Sequence, residues 1–191
     1  MSSAASVGDD ERLRLFLALQ LPEATLDVLS RWQDEHLTTG RAVARDALHV
    51  TLAFLGSRSA AELAAIVAAL REAAVGAGLP ALEPSAWRET RSVGMVVLRD
   101  DGGEAAALAG RLHDGLARLG VYRPEARPWL PHVTVLRFRQ RPRLAPPLPE
   151  TGTFVPSGAA AYLSRLHPSG ARYEVLERVS LNAGERRRMN R

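Results

Sequence analysis

The sequence His-Val-Thr-Leu at positions 49–52 returns as His-Val-Thr-Val at positions 132–135. Each copy opens an apolar run typical of a β-strand, in which alternate side chains lie on one face of the sheet. The His and the Thr of each copy therefore share a face, and the Val between them points into a core. A three-residue match is weak by itself, but both copies stand at the same place in a larger repeat.

Each motif begins the second strand of a strand–helix–strand unit. In the first unit, leucines alternate as a strand over 13–19, and apolar residues recur at helical spacing over 26–37. In the second, a strand at 93–97 precedes a helical stripe over 108–119. The repeat predicts an α+β fold with two pseudo-symmetric lobes. Each lobe is expected to be an antiparallel sheet with helices on its outer face, and the motifs to meet in a central groove.

Glycine, proline and helix-capping residues mark where the other elements begin and end. A strand over 48–55 is predicted to end at Gly56, and Ser59 and Glu62 form a capping box ahead of a helix that ends near Gly76. The second motif strand is expected over 132–139, followed by a Pro-rich loop over 141–149 and a closing hairpin of 160–166 and 172–181. We expect one bilobal domain over 12–183, with flexible tails at 1–11 and 184–191.

Composition excludes several kinds of chemistry. All 25 basic side chains in the 191 residues are arginine, so a Walker A loop, a pyridoxal Schiff base and a lysyl-nucleotide intermediate are impossible. The chain has no cysteine, which removes thiol nucleophiles, disulfides and cysteine-bound zinc. The formal net charge of +4 weakly favours an anionic partner.

Hydropathy and the first residues predict the location. No apolar stretch approaches the roughly 20 residues of a membrane span, and the polar first residues lack the pattern of a secretory signal. We therefore expect a cytoplasmic protein with no membrane contact, acting as a monomer.

The paired motifs suit acid/base chemistry at phosphorus. If His49 and His132 face each other across a phosphodiester, one imidazole takes a proton from the attacking group and the other protonates the leaving oxygen. The hydroxyls of Thr51 and Thr134 can donate to the non-bridging oxygens. A strained 2',3'-cyclic ribose phosphate brings its own good leaving group and is the expected substrate. Neither motif adjoins carboxylates or a third histidine at ligand spacing, so we expect no metal and no cofactor.

The chain resembles the 2H phosphoesterase superfamily, in the branch of RNA 2',3'-cyclic phosphodiesterases, historically called 2'-5' RNA ligases. The likeness is carried by residues 14–18, 48–56, 131–137 and the closing segments 163–166 and 168–176. It implies that His49 is the general acid that protonates the 3' leaving oxygen. It also implies that His132 activates water, so that the product is a 2'-phosphomonoester.

Two further residues are site candidates through the same resemblance. The family places an arginine against the phosphate at the position of Arg137. Strict alternation puts that side chain on the face opposite His132, so its role requires a bulge, a twist or an early end of the strand. Phe16 lies in a region that borders the groove in the family, where its ring could stack a base, although a core aromatic is an equal interpretation.

Other functions stay open at this level. The alternatives are ATP-independent 2'-5' RNA ligation, hydrolysis of small cyclic nucleotides, and a non-catalytic module that binds RNA ends. The expected partner is RNA with a 2',3'-cyclic phosphate end or a related cyclic nucleotide. The remaining histidines, His36, His113 and His167, are predicted to be solvated or to cap helices and turns.

Overall fold

Eight strands and three helices make up the part of the chain that the structure describes. The structure is a computed structural model that describes residues 11–165, 167 and 171–181, so most of both predicted tails and part of the predicted turn at 167–170 lie outside the described residues. The elements in chain order are β1 (Arg12–Gln20), α1 (Glu23–His36), β2 (Arg41–Ala42), β3 (His49–Ser59), α2 (Leu63–Ala74), β4 (Leu82–Glu89), β5 (Val93–Asp100), α3 (Glu104–Arg118), β6 (His132–Arg137), β7 (Gly158–Arg165) and β8 (Arg172–Val179).

The strands form one antiparallel sheet in two halves. The order is β4-β5-β6-β3-β1-β7-β8, with the short β2 paired to β6. β3 and β6 join the halves through a single residue pair, Val50 with Val133. The α+β class and the two antiparallel lobes agree with the expectation from the repeat.

The chain crosses between the halves. β2 comes after α1 in the first repeat unit, yet it pairs with β6 of the second unit. The hairpin of β7 and β8 comes last in the chain, yet β7 pairs with β1. Each half-sheet therefore contains strands from separate parts of the sequence, with β3 and β6 at the centre.

The two faces of the sheet have different neighbours. Leu15, Leu17 and Leu19 alternate along β1 into the main core, which also contains the buried faces of all three helices. Phe16 and Ala18 point to the other face, where they form a small cluster with residues of β7. That second face carries the histidine motifs.

Several limits differ from the sequence predictions. β3 does not end at Gly56 but continues to Ser59, because Gly56 adopts a positive φ of 68° within the strand. β6 ends at Arg137, two residues earlier than expected. β2 and β4 were not predicted. The capping box of Ser59 and Glu62 is present, but it opens a 3₁₀ turn that precedes α2.

Among the helices within the described ranges, none is both long enough and apolar enough to cross a membrane.

Candidate active site

The single contact between β3 and β6 brings the two motifs together. With Val50 opposite Val133 in an antiparallel register, His49 lies toward Thr134 and Thr51 lies toward His132. Each histidine is thus beside the threonine of the other motif, and a pseudo-twofold axis passes between the two valines.

The two histidines are anchored in the same way. Nδ1 of His49 is 2.7 Å from the carbonyl oxygen of Ala47, and Nδ1 of His132 is 2.8 Å from that of Leu130. A carbonyl oxygen only accepts hydrogen bonds, so each Nδ1 carries a proton and donates. In the neutral rings both Nε2 atoms are consequently proton acceptors. The hydroxyl of Thr51, 3.1 Å from His49 Nε2, donates to it in this state.

His49 is held in its neutral form. Burial is the main cause that lowers its pKa from 6.5 to about 4; the nearby His132 and Arg137 lower it further, and the hydrogen bond to Ala47 opposes them. At neutral pH the empty site therefore has an uncharged imidazole at position 49. An anion in the site would oppose the effect of these two neighbours and raise the pKa of His49.

Each motif strand contains a bulge immediately after its threonine. On β3, Ala53 pairs with Leu17 and Thr51 with Ala18, so Leu52 is an extra residue. On β6, Leu136 pairs with Gly94 and Thr134 with Met95, so Val135 is extra. A bulge changes which face the later side chains occupy.

Arg137 and Phe54 reach the site because of these bulges. Each stands three positions after the threonine of its motif, and both line the cavity that contains His49. The bulge supplies the departure from strict alternation that the predicted role of Arg137 requires. Phe54 was not singled out from the sequence, although comparing the offsets in the two motifs would have found it.

Side chains from outside the strands donate to the carbonyl oxygens of the two extra residues, and buried carbonyls need such donors. His113 Nε2 on α3 donates to Leu52 O at 2.8 Å. Gln33 Nε2 on α1 donates to Val135 O at 2.7 Å, and the same oxygen accepts the backbone N–H of Val43 at 3.0 Å. The expectation that His113 is solvated or capping is therefore wrong, because its ring supports β3.

Each motif strand is supported by a helix of the other repeat unit. α1 of the first unit holds the bulge of the second motif, and α3 of the second unit holds the bulge of the first. Trp129 adds a further bond on β3, from Nε1 to Thr51 O at 3.0 Å. Nothing in the local sequence around Gln33, His113 or Trp129 indicates these contacts, because their partners lie far along the chain.

Two adjoining cavities form the groove. The central one has a volume of about 100 Å³ and is lined by Phe16, Val43, Ala47, His49, Thr51, Phe54, Thr134, Arg137 and Tyr173. The neighbouring one has about 490 Å³ and contains His132 together with Trp129, Tyr122 and Arg127. Thr51 and Phe54 line both. The structure thus groups His49, both threonines and Arg137 around one small space, with His132 at its border.

Phe16 differs from its proposed use as a stacking platform. Its side chain is 2% exposed and lies parallel to Tyr162, with ring centroids 4.8 Å apart and 6° between the planes. The His49 ring lies 4.9 Å from it. Because the Phe16 ring is covered in this way, it has no free face on which a base could stack. It packs against the His49 ring instead. Phe54, in contrast, is 51% exposed.

The described residues show no group of three or more His, Cys, Asp or Glu side chains that could hold a metal ion. The central cavity offers an imidazole, hydroxyls and a guanidinium.

A family model and a characterised protein that match the chain are both phosphoesterases. A family model described as LigT like Phosphoesterase matches residues 19–93. The chain is 32% identical over 174 residues to the RNA 2',3'-cyclic phosphodiesterase of Escherichia coli K12, covering 90% of this chain and 98% of that protein.

Solved structures show the same fold. The crystal structure of E. coli LigT complexed with 3'-AMP superposes with a TM-score of 0.77 at 27% identity, covering 90% of this chain and 99% of that one. A crystal structure of a Thermus thermophilus protein gives a TM-score of 0.74 at 31% identity, with 91% of this chain and 100% of that one covered.

Proposed function

The chain belongs to the LigT-like phosphoesterase family, and from that premise we propose that it hydrolyses 2',3'-cyclic phosphate ends of RNA to 2'-phosphomonoesters. The observation that carries this proposal is the pair of equally anchored histidines at one groove. Both present Nε2 as the reactive nitrogen, and a small space lined by two threonines and an arginine lies between the motifs. A phosphate fits the chemistry of that lining.

In the proposed mechanism His132 is the base and His49 is the acid. Nε2 of His132 takes a proton from water as the water oxygen bonds to phosphorus, and the bond from phosphorus to O3' breaks. Nε2–H of His49 delivers its proton to O3'. The reaction leaves a 2'-phosphomonoester, a free 3'-hydroxyl, a protonated His132 and a neutral His49, which exchange protons with solvent before the next turnover.

The other groups that line the site stabilise negative charge on the phosphate. Thr134 and the guanidinium of Arg137 donate hydrogen bonds to the non-bridging oxygens, where negative charge concentrates as the fifth bond forms. Thr51 binds Nε2 of His49 in the empty site and is released to the phosphate once that nitrogen is protonated. We propose that these groups together supply the charge stabilisation, with no divalent metal.

The acid role of His49 depends on the substrate. In the empty site its pKa is lowered to about 4, so the ring is neutral at pH 7. The phosphodiester anion stabilises the imidazolium, so substrate and proton bind together. Arg137 then pairs with the phosphate and its influence on the imidazole is partly offset.

Substitution of each histidine tests the mechanism. His49→Ala and His132→Ala should each lower turnover by about 10²- to 10⁴-fold, the loss expected for a positioned acid or base, while circular dichroism shows a retained fold. The assay uses a cyclic-phosphate-ended oligonucleotide with excess EDTA. Turnover near that of the wild type in either variant contradicts the mechanism. Loss of wild-type activity in EDTA, restored by Mn²⁺ or Mg²⁺, contradicts metal independence.

A better leaving group separates the two roles. A cyclic phosphate whose 3' leaving group needs little protonation should rescue His49→Ala far more than His132→Ala, because water must still be activated in both variants. The opposite pattern would exchange the roles. No rescue of either variant would mean that both histidines serve mainly to bind phosphate.

Ligation is a second candidate reaction of the same site. The cavity beside His132, at about 490 Å³, is far larger than a water molecule requires, so a nucleotide with a 5'-hydroxyl could take the place of water there. Attack by that hydroxyl on the cyclic phosphate would form a 2'-5' bond without ATP. Gel analysis with a second, 5'-hydroxyl strand distinguishes joined from hydrolysed product.

Two other interpretations are less supported. A module that only binds RNA ends has no need of two reactive Nε2 atoms held in matching geometry. Hydrolysis of small cyclic nucleotides requires only the central cavity and would be seen in the same assay with a mononucleotide. A monomeric state and a cytoplasmic location stay predictions.

A further inference from the structure

Three arginines line a third cavity, which shares Arg137 with the central cavity of the site. This cavity has a volume of about 450 Å³ and is lined by Gly40, Arg41, Arg137, Phe138 and Arg139. Arg137 also lines the central cavity with His49 and Thr134. An anion among the three arginines would thus sit next to the reacting phosphate.

The backbone builds this arrangement. β2 pairs with β6 so that Arg41 lies directly opposite Arg137. Gly40, which has a φ of +88°, allows the approach: a Cβ there would lie 2.8 Å from the carbonyl oxygen of Arg137. Only glycine combines that backbone conformation with so close a contact. The short strand β2 therefore fixes Arg41 beside the catalytic arginine.

The arginines concentrate positive charge at this cavity. Like charges directly opposite each other on neighbouring strands repel, and Arg41 lies opposite Arg137. Among the described residues that line the cavity, none is a carboxylate. A bound anion offsets the repulsion, and a phosphate can accept hydrogen bonds from several guanidinium groups at once.

We propose that this cavity is a second phosphate subsite, which binds the phosphate on the 5' side of the terminal nucleoside. The inference rests on the proposed function. When the terminal cyclic phosphate lies beside His49, the RNA strand ends at that point. The next negatively charged group of the RNA is then the 5'-linked phosphate of the same nucleotide. Arg41 and Arg139 bind that phosphate, and Arg137 lies between the two phosphates. The subsite makes an RNA end a better substrate than a cyclic nucleoside phosphate.

The test compares three substrates and three variants. The substrates are a nucleoside 2',3'-cyclic phosphate with a 5'-hydroxyl, the same compound with a 5'-phosphate, and a short oligonucleotide with a cyclic phosphate end. In the wild type the 5'-phosphate should raise kcat/KM about tenfold, typical of one charge-assisted contact. Arg41→Ala and Arg139→Ala should remove most of that gain and leave the 5'-hydroxyl substrate within about twofold. Arg118→Ala, an exposed position in the last turn of α3, is the charge-matched control and should change neither value.

Salt dependence gives an independent measure. When log kcat/KM for the oligonucleotide is plotted against log salt concentration, the slope should be less steep by about 0.7 in Arg41→Ala and in Arg139→Ala, the value for one phosphate contact on a single strand. The slope for Arg118→Ala should equal that of the wild type. Equal losses on the 5'-hydroxyl and 5'-phosphate substrates would overturn the subsite, as would a wild type that gains nothing from the 5'-phosphate.

Binding separates this proposal from the proposed function. Calorimetry compares a nucleoside 2',5'-bisphosphate with the 2'-monophosphate, and the wild type should bind the bisphosphate about tenfold more tightly while Arg139→Ala does not. If the wild type hydrolyses none of the substrates, the proposed function fails, and this binding difference alone decides the subsite. Equal affinities for the two ligands refute it whatever the activity.

Discussion

At the scale of single residues, His49 couples binding to protonation. Its imidazole is neutral because burial, His132 and Arg137 all disfavour the charged form, and only the carbonyl of Ala47 favours it. In the proposed mechanism the same surroundings accept a phosphate, which reverses the balance of charge. His49, the proposed general acid, would then gain its proton when the substrate binds.

NMR titration of the imidazole signals checks this behaviour. His49 should titrate with a pKa near 4 in the free protein, and a bound nucleoside 2'-monophosphate should raise that value. His132→Ala should raise it too, because the electrostatic effect of His132, which lowers the His49 pKa, is removed. The pH dependence of kcat/KM reports the free enzyme, and its limbs belong to the coupled pair of histidines rather than to either one. On the acidic side, kcat/KM should therefore fall near the same pH. An ordinary pKa that does not respond to the monophosphate contradicts this account.

The residue pattern predicted that each histidine shares a strand face with the threonine of its own motif, since period-two alternation needs only the local sequence. That the two motifs meet was predicted from the repeat. It could not decide Arg137, because the bulge that turns it toward the site involves Val135 and its partners on β5. Phe16 shows the converse limit. Its face of the strand is predictable, but its burial under Tyr162 depends on a strand at the far end of the chain.

At the scale of elements, helix α1 shapes strand β6 through one side chain. Gln33 is 4% exposed, and its Nε2 donates to both Val43 O and Val135 O. Gln33→Leu keeps the approximate volume but leaves both carbonyls without this donor. The free energy of unfolding should fall by about 1–3 kcal/mol. Displacement of Arg137 by the altered bulge should lower kcat/KM about tenfold or more.

Urea unfolding and steady-state kinetics measure the two effects. Ser30→Ala on the same helix is the matched control, because the Ser30 hydroxyl is buried without a hydrogen-bond partner in the described chain. Its removal should leave stability unchanged or slightly higher. Wild-type stability and activity in Gln33→Leu would show that the bulge needs no support from α1.

Glu89 at the end of β4 fastens the Pro-rich loop. Its side chain is 2% exposed and accepts bonds from the backbone N–H groups of Arg143 and Leu144 and from the guanidinium of Arg141. Burial by itself would raise the Glu89 pKa, but these hydrogen bonds outweigh it and hold the pKa below the usual 4.5. The carboxylate therefore stabilises the fold above that pH, and the stabilisation is lost as the pH falls through the lowered pKa.

Glu89→Gln should cost about 1–3 kcal/mol of unfolding free energy at pH 7. The difference from the wild type should shrink below pH 4.5, where the native carboxyl becomes protonated as well. Denaturant unfolding at a series of pH values measures it, and the exposed Glu150→Gln shortly after the same loop should show no such difference. A constant gap across the acid range would contradict the assigned role of Glu89.

Elements with clear periodicity were predictable and those without it were not. The three helices and the strands β1, β3, β5 and β6 have apolar repeats in the sequence. β4 contains Pro84 and alternates poorly, which is tolerated because it is at the edge of the sheet and pairs only with β5 among the described strands. β2 has two residues and exists only because β6 lies beside it.

At the scale of the whole molecule, one core spans both half-sheets. A continuous cluster of buried residues includes Leu17 and Leu52 from one half, Val133 and Val135 from the other, and the helices between them. The halves share only one strand pair in the described chain, so this core rather than the sheet holds the histidines in register. The repeat in the sequence predicted the symmetry, but the crossing of strands between halves depends on contacts over long chain separations.

Thermal or denaturant unfolding should accordingly be a single transition. Tryptophan fluorescence, which reports Trp32, Trp87 and Trp129, should coincide with far-ultraviolet circular dichroism. A nucleoside 2'-monophosphate at 100 times its Kd should stabilise the whole molecule by about 2.7 kcal/mol. Two separate transitions, only one of them shifted by the ligand, would mean that the halves are independent domains.

Neither repeat unit can shape its own histidine strand. The unit that carries β3 depends on His113 from the other unit, and the unit that carries β6 depends on Gln33. Cutting the chain in the connection at 75–81 would give two fragments, each without the side chain that supports its own histidine strand. Activity recovered on mixing the fragments would therefore report their reassociation. A single repeat would meet the same requirement only by exchanging helices with a second copy, as a domain-swapped dimer.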